Sequence, residues 1–236
     1  MNVLEHLEPK SVFRFFEEMC AIPHGSRNTK AVSDWCADFA RARGLEYHQD
    51  GDNNIIIIKE AAPGYEAAPP VILQGHLDMV CEQTADCQKD MSREGLDLAG
   101  DGDFVYAKGT TLGGDDGIAV AMALALLDAE GLPHPRLEAV FTVDEEIGLL
   151  GAASIDVTPL KGRQMLNLDS EAEGIFTVSC AGGNTSACLL PLTRAPFDGA
   201  GVTVAVGGLT GGHSGAEIHK GRANANVLMG RILRAA

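Results

Sequence analysis

Short apolar segments that favour β-strands alternate with segments of helical spacing through the first two thirds of the sequence. The strand-like segments are IIII at 55–58, VILQGHLDMV at 71–80, LEAVFTV at 137–143 and MLNLD at 165–169. Apolar residues recur with helical spacing at 11–21, 29–43 and 118–130, and again from 147 onwards. Strands that alternate with helices predict an α/β fold, with a mostly parallel sheet and flanking helices.

The pattern changes after about residue 184. Residues 185–192 and 202–208 resemble two strands of a different, sheet-rich unit, and a helix is predicted from 221. We therefore expect one domain over 1–184 and the beginning of a smaller α+β domain over 185–236. The last helical segment runs to the final residue without a cap or tail, so we expect both domains to be incomplete.

The charge and composition exclude several classes of partner. A formal net charge of −15 argues against nucleic acid, because phosphate binding needs clustered Lys and Arg. The sequence contains no apolar run of the ~18 residues that a membrane span needs, and no signal peptide is predicted. Its six cysteines form no CxxC pair, which is typical of free thiols in a reducing cytoplasm.

Acidic residues and one histidine lie in clusters at the points where the predicted strands end or a helix begins. There are four such clusters: GHLDMV at 75–80, LGGDDGIA at 112–119, TVDEEIG at 142–148 and LNLDSE at 166–171. Each alone is also compatible with a solvated turn or the polar face of a surface strand. Ligands of α/β sheets bind at the carboxyl ends of the strands, so the four clusters together predict one cation site.

The adjacent aspartates of LGGDDGIA allow other interpretations. A polymerase-like GDD hairpin requires flanking strands, whereas an apolar helix is predicted to follow Asp116 here. A phosphate-binding loop is disfavoured, since carboxylates at a helix N-terminus would repel phosphate. A plain Asp–Gly turn remains compatible with this segment.

The residue types indicate which cation would bind. His76 and Asp78 lie two residues apart on a predicted strand, a spacing typical of a metal-binding histidine and the carboxylate that orients it. One histidine with several carboxylates suits Zn²⁺, Mn²⁺ or Co²⁺, whereas an all-oxygen set would suit Mg²⁺ or Ca²⁺. The surplus of carboxylates favours two ions roughly 3.5–4 Å apart, an arrangement that hydrolyses amides or esters.

Six motifs resemble those of a known family. They occur in the order found in co-catalytic zinc peptidases of the aminoacylase and carboxypeptidase type, and most resemble the Xaa-His dipeptidases: GHLDMV, GTTLGGDDGIA (109–119), TVDEEIG, NLDSE, CAGG (180–183) and GGHSG (211–215). The resemblance covers nearly all of the chain but only the N-terminal part of a family member. It implies a catalytic domain, a lid or dimerisation domain, a cytoplasmic homodimer and short peptide substrates of the Xaa-His type.

The resemblance also implies the ligands of two divalent metal ions, with zinc expected and manganese or cobalt as alternatives. His76 and Asp169 would bind one ion and Glu146 the other, while Asp115 would bridge both. The peptide bond between Asp115 and Asp116 would be cis, which leaves a structural role for Asp116.

Three further residues receive catalytic roles from the resemblance. Asp78 would orient His76 through the second ring nitrogen, and Glu145 would be the general base that deprotonates the metal-bridging water. His213 would stabilise the oxyanion of the tetrahedral intermediate. The expected reaction is the metal-dependent hydrolysis of the peptide bond in dipeptides.

One expected ligand has no counterpart in this sequence. In the family, a histidine near the C-terminus completes the second metal site, and we interpret the remaining histidines as surface residues: His6, His24, His48, His134 and His219. We therefore expect this chain to bind its second ion weakly and to have little or no activity. The alternatives are a tripeptidase, a carboxypeptidase or an N-acyl-amino-acid deacylase of the same superfamily, or a non-catalytic metal-binding scaffold.

Overall fold

The computed structural model describes residues 3–170, 172–180, 182, 186–212 and 217–235. The chain divides after Cys180 into two units.

The first unit is built on a five-stranded mixed sheet. Its strands are β1 (Glu46–Gln49), β2 (Ile55–Lys59), β3 (Val71–His76), β6 (Leu137–Thr142) and β7 (Gln164–Asn167), and a separate antiparallel hairpin consists of β4 (Leu98–Gly100) and β5 (Val105–Ala107). The order in the sheet is β1-β2-β6-β3-β7. The neighbours β6, β3 and β7 run parallel, whereas β2 is antiparallel to both β1 and β6. The predicted α/β fold is confirmed, with an antiparallel edge beside the parallel strands.

Four helices accompany this sheet: α1 (Lys10–Cys20), α2 (Lys30–Ala42), α3 (Gly114–Asp128) and α4 (Leu150–Ser154). In α1 the buried side chains include Val12, Phe15, Phe16 and Met19, which recur at the spacing of one helix face. The helix α3 is apolar on nearly all sides because it packs against both α1 and β3. None of the helices in the described part of the chain is both long and apolar enough to cross a bilayer.

Both faces of β2 are buried, which explains its uninterrupted apolar sequence. Ile55 and Ile57 belong to the large core that includes residues of α1, α2 and α3. Ile56 and Ile58 belong to a smaller core on the opposite face, together with Ile72. Successive strand residues point to opposite faces, so a strand buried on both sides needs apolar residues at every position.

The second unit differs from the sequence prediction. The described residues at 186–192 and 202–208 form no strand, although their sequences favour one. A strand requires a neighbouring backbone for its N–H and C=O groups, and neither segment pairs with another within the described residues. A short 3-10 helix (Ile218–Lys220) precedes α5 (Ala225–Ala235), which begins later than the predicted residue 221. The assignment of 1–184 and 185–236 to catalytic and lid domains stays a prediction.

Candidate metal centre

The candidate site lies at the carboxyl ends of the parallel strands. His76 is the last residue of β3, Glu145 and Glu146 follow β6, and Asp169 follows β7. The first turn of α3 contributes Asp115. Because β6, β3 and β7 are parallel neighbours, their carboxyl ends lie at the same edge of the sheet. The structure thus brings together the residues of the four clusters.

The imidazole of His76 is buried and faces several carboxylates. Its Nε2 atom lies 3.0 Å from Oδ1 of Asp115, 3.9 Å from Oε2 of Glu145 and 4.0 Å from Oδ2 of Asp169. Its Nδ1 atom lies 2.9 Å from the main-chain oxygen of Asp78 and 3.5 Å from Oδ1 of the same residue. A proton on Nδ1 satisfies these contacts, so Nε2 is the nitrogen available to a cation.

The charges around His76 change its protonation. Burial alone would lower the pKa of His76, but the carboxylates of Asp78, Asp116 and Asp115 outweigh burial and raise the pKa to about 10. In the absence of another cation, this imidazole is therefore protonated at neutral pH. A divalent cation at Nε2 would take the place of that proton, because metal ligands bind in their deprotonated form.

Asp78 is buried directly behind His76. Its carboxylate accepts a hydrogen bond from the hydroxyl of Ser26 at 2.8 Å and from the backbone N–H groups of Glu145 and Glu146 at 3.0 and 3.4 Å. Burial raises the pKa of this carboxyl, but His76 and these donors outweigh burial and lower it overall. Asp78 is thus a buried anion that contacts both the histidine and the loop after β6.

The two adjacent aspartates have different environments. The side chain of Asp115 is 57% exposed, whereas Asp116 is buried and its Oδ2 accepts the backbone N–H of His76 at 3.2 Å. The peptide bond between them is cis, as expected. A Cβ atom on Gly75 would lie 2.7 Å from Oδ2 of Asp116, so the glycine of GHLDMV allows this carboxylate to approach β3. The contact with the backbone agrees with the structural role predicted for Asp116.

Three carboxyl groups at this edge are less acidic than usual. Burial, with the charges of Asp169 and Asp115, outweighs His76 and raises the pKa of Asp116 to about 7. Burial is also the main cause that raises the pKa of Glu145 and of Glu146, and neighbouring carboxylates add to it. Crowded carboxylates with raised pKa values are typical of sites that bind a cation or transfer a proton.

Among the described residues, two overlapping groups of side chains have the geometry to hold a metal ion. In each group, one ligand atom per residue lies within 4.8 Å of the others: His76, Asp116 and Asp169 in one, and His76, Asp115 and Glu146 in the other. One imidazole nitrogen with carboxylate oxygens fits Zn²⁺, Mn²⁺ or Co²⁺. The first group contains Asp116, to which the sequence prediction gave no metal. His213 lies outside the described residues, as do parts of the CAGG and GGHSG motifs.

The sequence prediction was wrong for two histidines. His24 and His134 are buried rather than on the surface, whereas His6, His48 and His219 are exposed. The Nδ1 atom of His24 lies 2.6 Å from the main-chain oxygen of Ile22, and that of His134 lies 2.7 Å from the main-chain oxygen of Pro135. These contacts give one nitrogen of each buried ring a hydrogen-bond partner in the main chain. Burial lowers the pKa of His24 and favours its neutral form.

The chain is similar to known dipeptidases along nearly its whole length. No family model matches the chain. Over 237 aligned residues the chain is 39% identical to the cytosol non-specific dipeptidase of Escherichia coli (strain K12), and the match covers 99% of this chain and 48% of that protein.

Solved structures with a similar fold include the aminoacylhistidine dipeptidase from Vibrio alginolyticus. It is 33% identical with a TM-score of 0.72, and the match covers 98% of this chain and 47% of that one. A tripeptidase from Staphylococcus aureus is 22% identical with a TM-score of 0.58, over 69% of this chain and 44% of that one, and supports the fold alone. The two dipeptidase matches cover nearly the whole of this chain. The chain spans only about half the length of each of those relatives.

Proposed function

We propose that this chain, which is similar to two dipeptidases along nearly its whole length, contributes the metal-binding part of an enzyme that hydrolyses the peptide bond of dipeptides. The observation that carries the proposal is the position of His76, whose Nε2 lies within 4.0 Å of carboxylate oxygens of Asp115, Glu145 and Asp169. The similarity to two dipeptidases supports this reaction over other uses of a metal site.

Two divalent ions, with zinc the expected metal, would be held by the clustered side chains. His76 and Asp169 would bind one ion, Glu146 the other, and Asp115 both. When bound, such ions polarise the scissile carbonyl and lower the pKa of water. The donor types support this assignment, as do the closeness of His76 to Asp169 in one group of ligand atoms and that of Asp115 to Glu146 in the other.

Glu145 would act as the general base. It accepts a proton from the attacking water and donates that proton to the leaving amine as the peptide bond breaks. Its raised pKa, caused mainly by burial, supports this role, because a base titrating nearer to neutral pH transfers protons in both directions more readily. We also propose that Asp78 orients His76 and that His213 stabilises the oxyanion.

The substitution Glu145→Ala tests this function. It would be made in a protein of the relatives' full length that carries this sequence, because the second ion is expected to bind weakly to the 236-residue chain. We expect hydrolysis of dipeptides to fall by roughly 10²–10⁴-fold while the zinc content stays unchanged. Full activity in the variant would contradict the proposed role of Glu145.

The substrate class requires a separate comparison. The same protein, supplied with Zn²⁺ or Mn²⁺, would be offered Gly-His, β-Ala-His, a tripeptide and an acetylated amino acid. We propose that dipeptides are preferred and that those with a C-terminal histidine are cleaved best. A preference for the tripeptide or the acetylated amino acid would instead favour one of the related amidohydrolases.

We also propose that the protein is cytoplasmic and acts as a homodimer. The similarity to a cytosolic dipeptidase supports the location. The net charge of −15 argues against nucleic acid as a partner. Sedimentation of the full-length protein would test the homodimer, and a monomer with full activity would contradict it.

A further inference from the structure

The segment His24–Asn28, here called the clamp loop, lies against the end of β3. Gly25 forms a parallel bridge with Met79. The N–H of Met79 donates to the main-chain oxygen of His24 at 3.2 Å, and the N–H of Ser26 donates to that of Met79 at 3.4 Å. The clamp loop is therefore attached by its backbone to the segment that directly follows His76 and Asp78.

Ser26 places its hydroxyl inside this junction. The hydroxyl donates to Oδ2 of Asp78 at 2.8 Å, and the side chain of Asp78 has no exposed surface. The backbone N–H groups of Glu145 and Glu146 donate to the same carboxylate. A buried anion is held in one orientation by its donors, so the Ser26 hydroxyl helps to fix the rotation of the Asp78 carboxylate.

A second contact joins the clamp loop to the loop after β6. The N–H of Arg27 donates to Oδ1 of Asp144 at 2.6 Å. Asp144 directly precedes Glu145 in the chain. Arg27 and Asp144 both have a positive φ, of 66° and 54°, which non-glycine residues rarely adopt. Such backbone conformations persist where the surrounding structure holds them, and they concentrate at functional sites.

We propose that Ser26 is a positioning residue of the metal centre and acts through Asp78, an inference that rests on the proposed function. Through one carboxylate, its hydroxyl holds both the buried imidazole of His76 and the loop that carries Glu145 and Glu146. Loss of the hydroxyl leaves Asp78 with fewer donors and free to rotate away from both. Partners that orient metal ligands typically change metal affinity by 10–100-fold, and we expect roughly a tenfold loss here.

Cobalt binding to the 236-residue chain tests this inference without an activity assay. Co²⁺ is titrated into the metal-free protein while its visible absorption, which reports the coordination geometry, and the heat of binding are recorded. Ser26→Ala should bind Co²⁺ roughly tenfold more weakly and with an altered spectrum. Ser26→Thr, which keeps the hydroxyl, should restore the affinity and the spectrum.

Ser33→Ala is the matched control. The Ser33 hydroxyl is buried and accepts a hydrogen bond from Nε2 of Gln49 at 2.8 Å, but it belongs to α2. Its loss should change stability and leave Co²⁺ affinity unchanged. If Ser26→Ala does not fold, as judged by circular dichroism, Ser26→Cys keeps the volume with a weaker donor and should show a smaller loss of affinity in the same direction.

The outcomes separate this inference from the proposed function. If the wild-type chain binds Co²⁺ and His76→Ala does not, the metal centre stands. Wild-type affinity and spectrum in a folded Ser26→Ala or Ser26→Cys would then overturn the role of Ser26 alone. A wild-type chain that binds no Co²⁺ would overturn the proposed function, and the inference with it.

Discussion

The carboxylates near the two ends of strand β6 have opposite electrostatic environments. Near the amino end, Glu138 accepts hydrogen bonds from Nε of Arg136 at 2.7 Å and from the N–H groups of Lys161 and Gly162, each at 2.9 Å. Burial raises the pKa of Glu138, but these donors outweigh it and lower the pKa overall. Glu138 thus has the environment of a structural carboxylate that its neighbours hold in the ionised form.

After the carboxyl end of β6, the balance is reversed. The pKa of Glu145 is raised by burial first, and burial together with the carboxylates of Asp169, Asp78 and Asp115 outweighs the opposing effect of His76. At one end the chain supplies a cation for its buried carboxylate, whereas at the other end carboxylates outnumber the imidazole that they share. The comparison indicates which end is structural and which end fits an added cation.

The largest expected effect comes from breaking the structural end. Glu138→Ala leaves the buried guanidinium of Arg136 without its internal partner, and we expect a loss of about 3–5 kcal/mol in the free energy of unfolding. Urea unfolding measures it. The control is Glu60→Ala, which removes the exposed partner of Arg136 and should cost no more than about 1 kcal/mol. Equal losses in the two variants would contradict the assignment of Glu138 as the structural carboxylate.

The next effect is the stabilisation of the chain by Zn²⁺ at the candidate site, which lies after the carboxyl end of β6. Zn²⁺ at about 100 times its dissociation constant should stabilise the wild-type chain by about 2.7 kcal/mol relative to the chelator-treated protein. His76→Ala should abolish this increment, because the shared ligand of both groups is lost. Glu60→Ala should keep the increment. Urea unfolding with and without Zn²⁺ checks all three, and an unchanged increment in His76→Ala would place the ion elsewhere.

A smaller effect is expected from closing the gap between β3 and α3. Gly75→Ala would introduce a methyl group 2.7 Å from Oδ2 of Asp116 and 3.2 Å from Cβ of Ala119, so we expect a loss of about 1–3 kcal/mol. Zn²⁺ binding should weaken as well, because Asp116 contacts the backbone of His76. Gly51→Ala is the control, since nothing lies within 4 Å of its added Cβ. A neutral Gly75→Ala would contradict the close approach.

The smallest effect is a change in pH dependence at the structural end. The pKa of Glu138 is lower in the folded chain than its ordinary value of 4.5. Its contribution to stability is therefore fully present above about pH 4.5 and is lost as the pH falls through the folded pKa. Urea midpoints at pH 5.5 and 4.0 should differ less in Glu138→Gln than in the wild type. An equal difference would mean that another carboxylate dominates the acid sensitivity.

Much of the first unit could be predicted from local patterns. The run IIII indicated a buried strand because its branched side chains suit a sheet covered on both faces. The acidic clusters indicated a shared site because parallel strands end at one edge. The prediction of strands at 186–192 and 202–208 was wrong, because it relied on strand propensity alone. Strand propensity says nothing about whether a partner strand is present.

The contacts that organise the site carried no local signal. Ser26 and Asp78 are 52 residues apart in the chain. Arg136 and Glu138 are charged residues, yet both are buried. Burial of a polar side chain depends on which distant donors surround it, and periodicity does not record those donors.

The sequence by itself determined the residue types of the site, the class of cation that they suit and the alternation of the parallel strands with helices in the first unit. Only the tertiary structure decided that Asp116 faces the backbone of His76 while Asp115 faces its Nε2 atom, and that Ser26 reaches Asp78. Side-chain chemistry and periodicity are local properties, whereas the surroundings of a charge depend on segments that meet only when the chain folds.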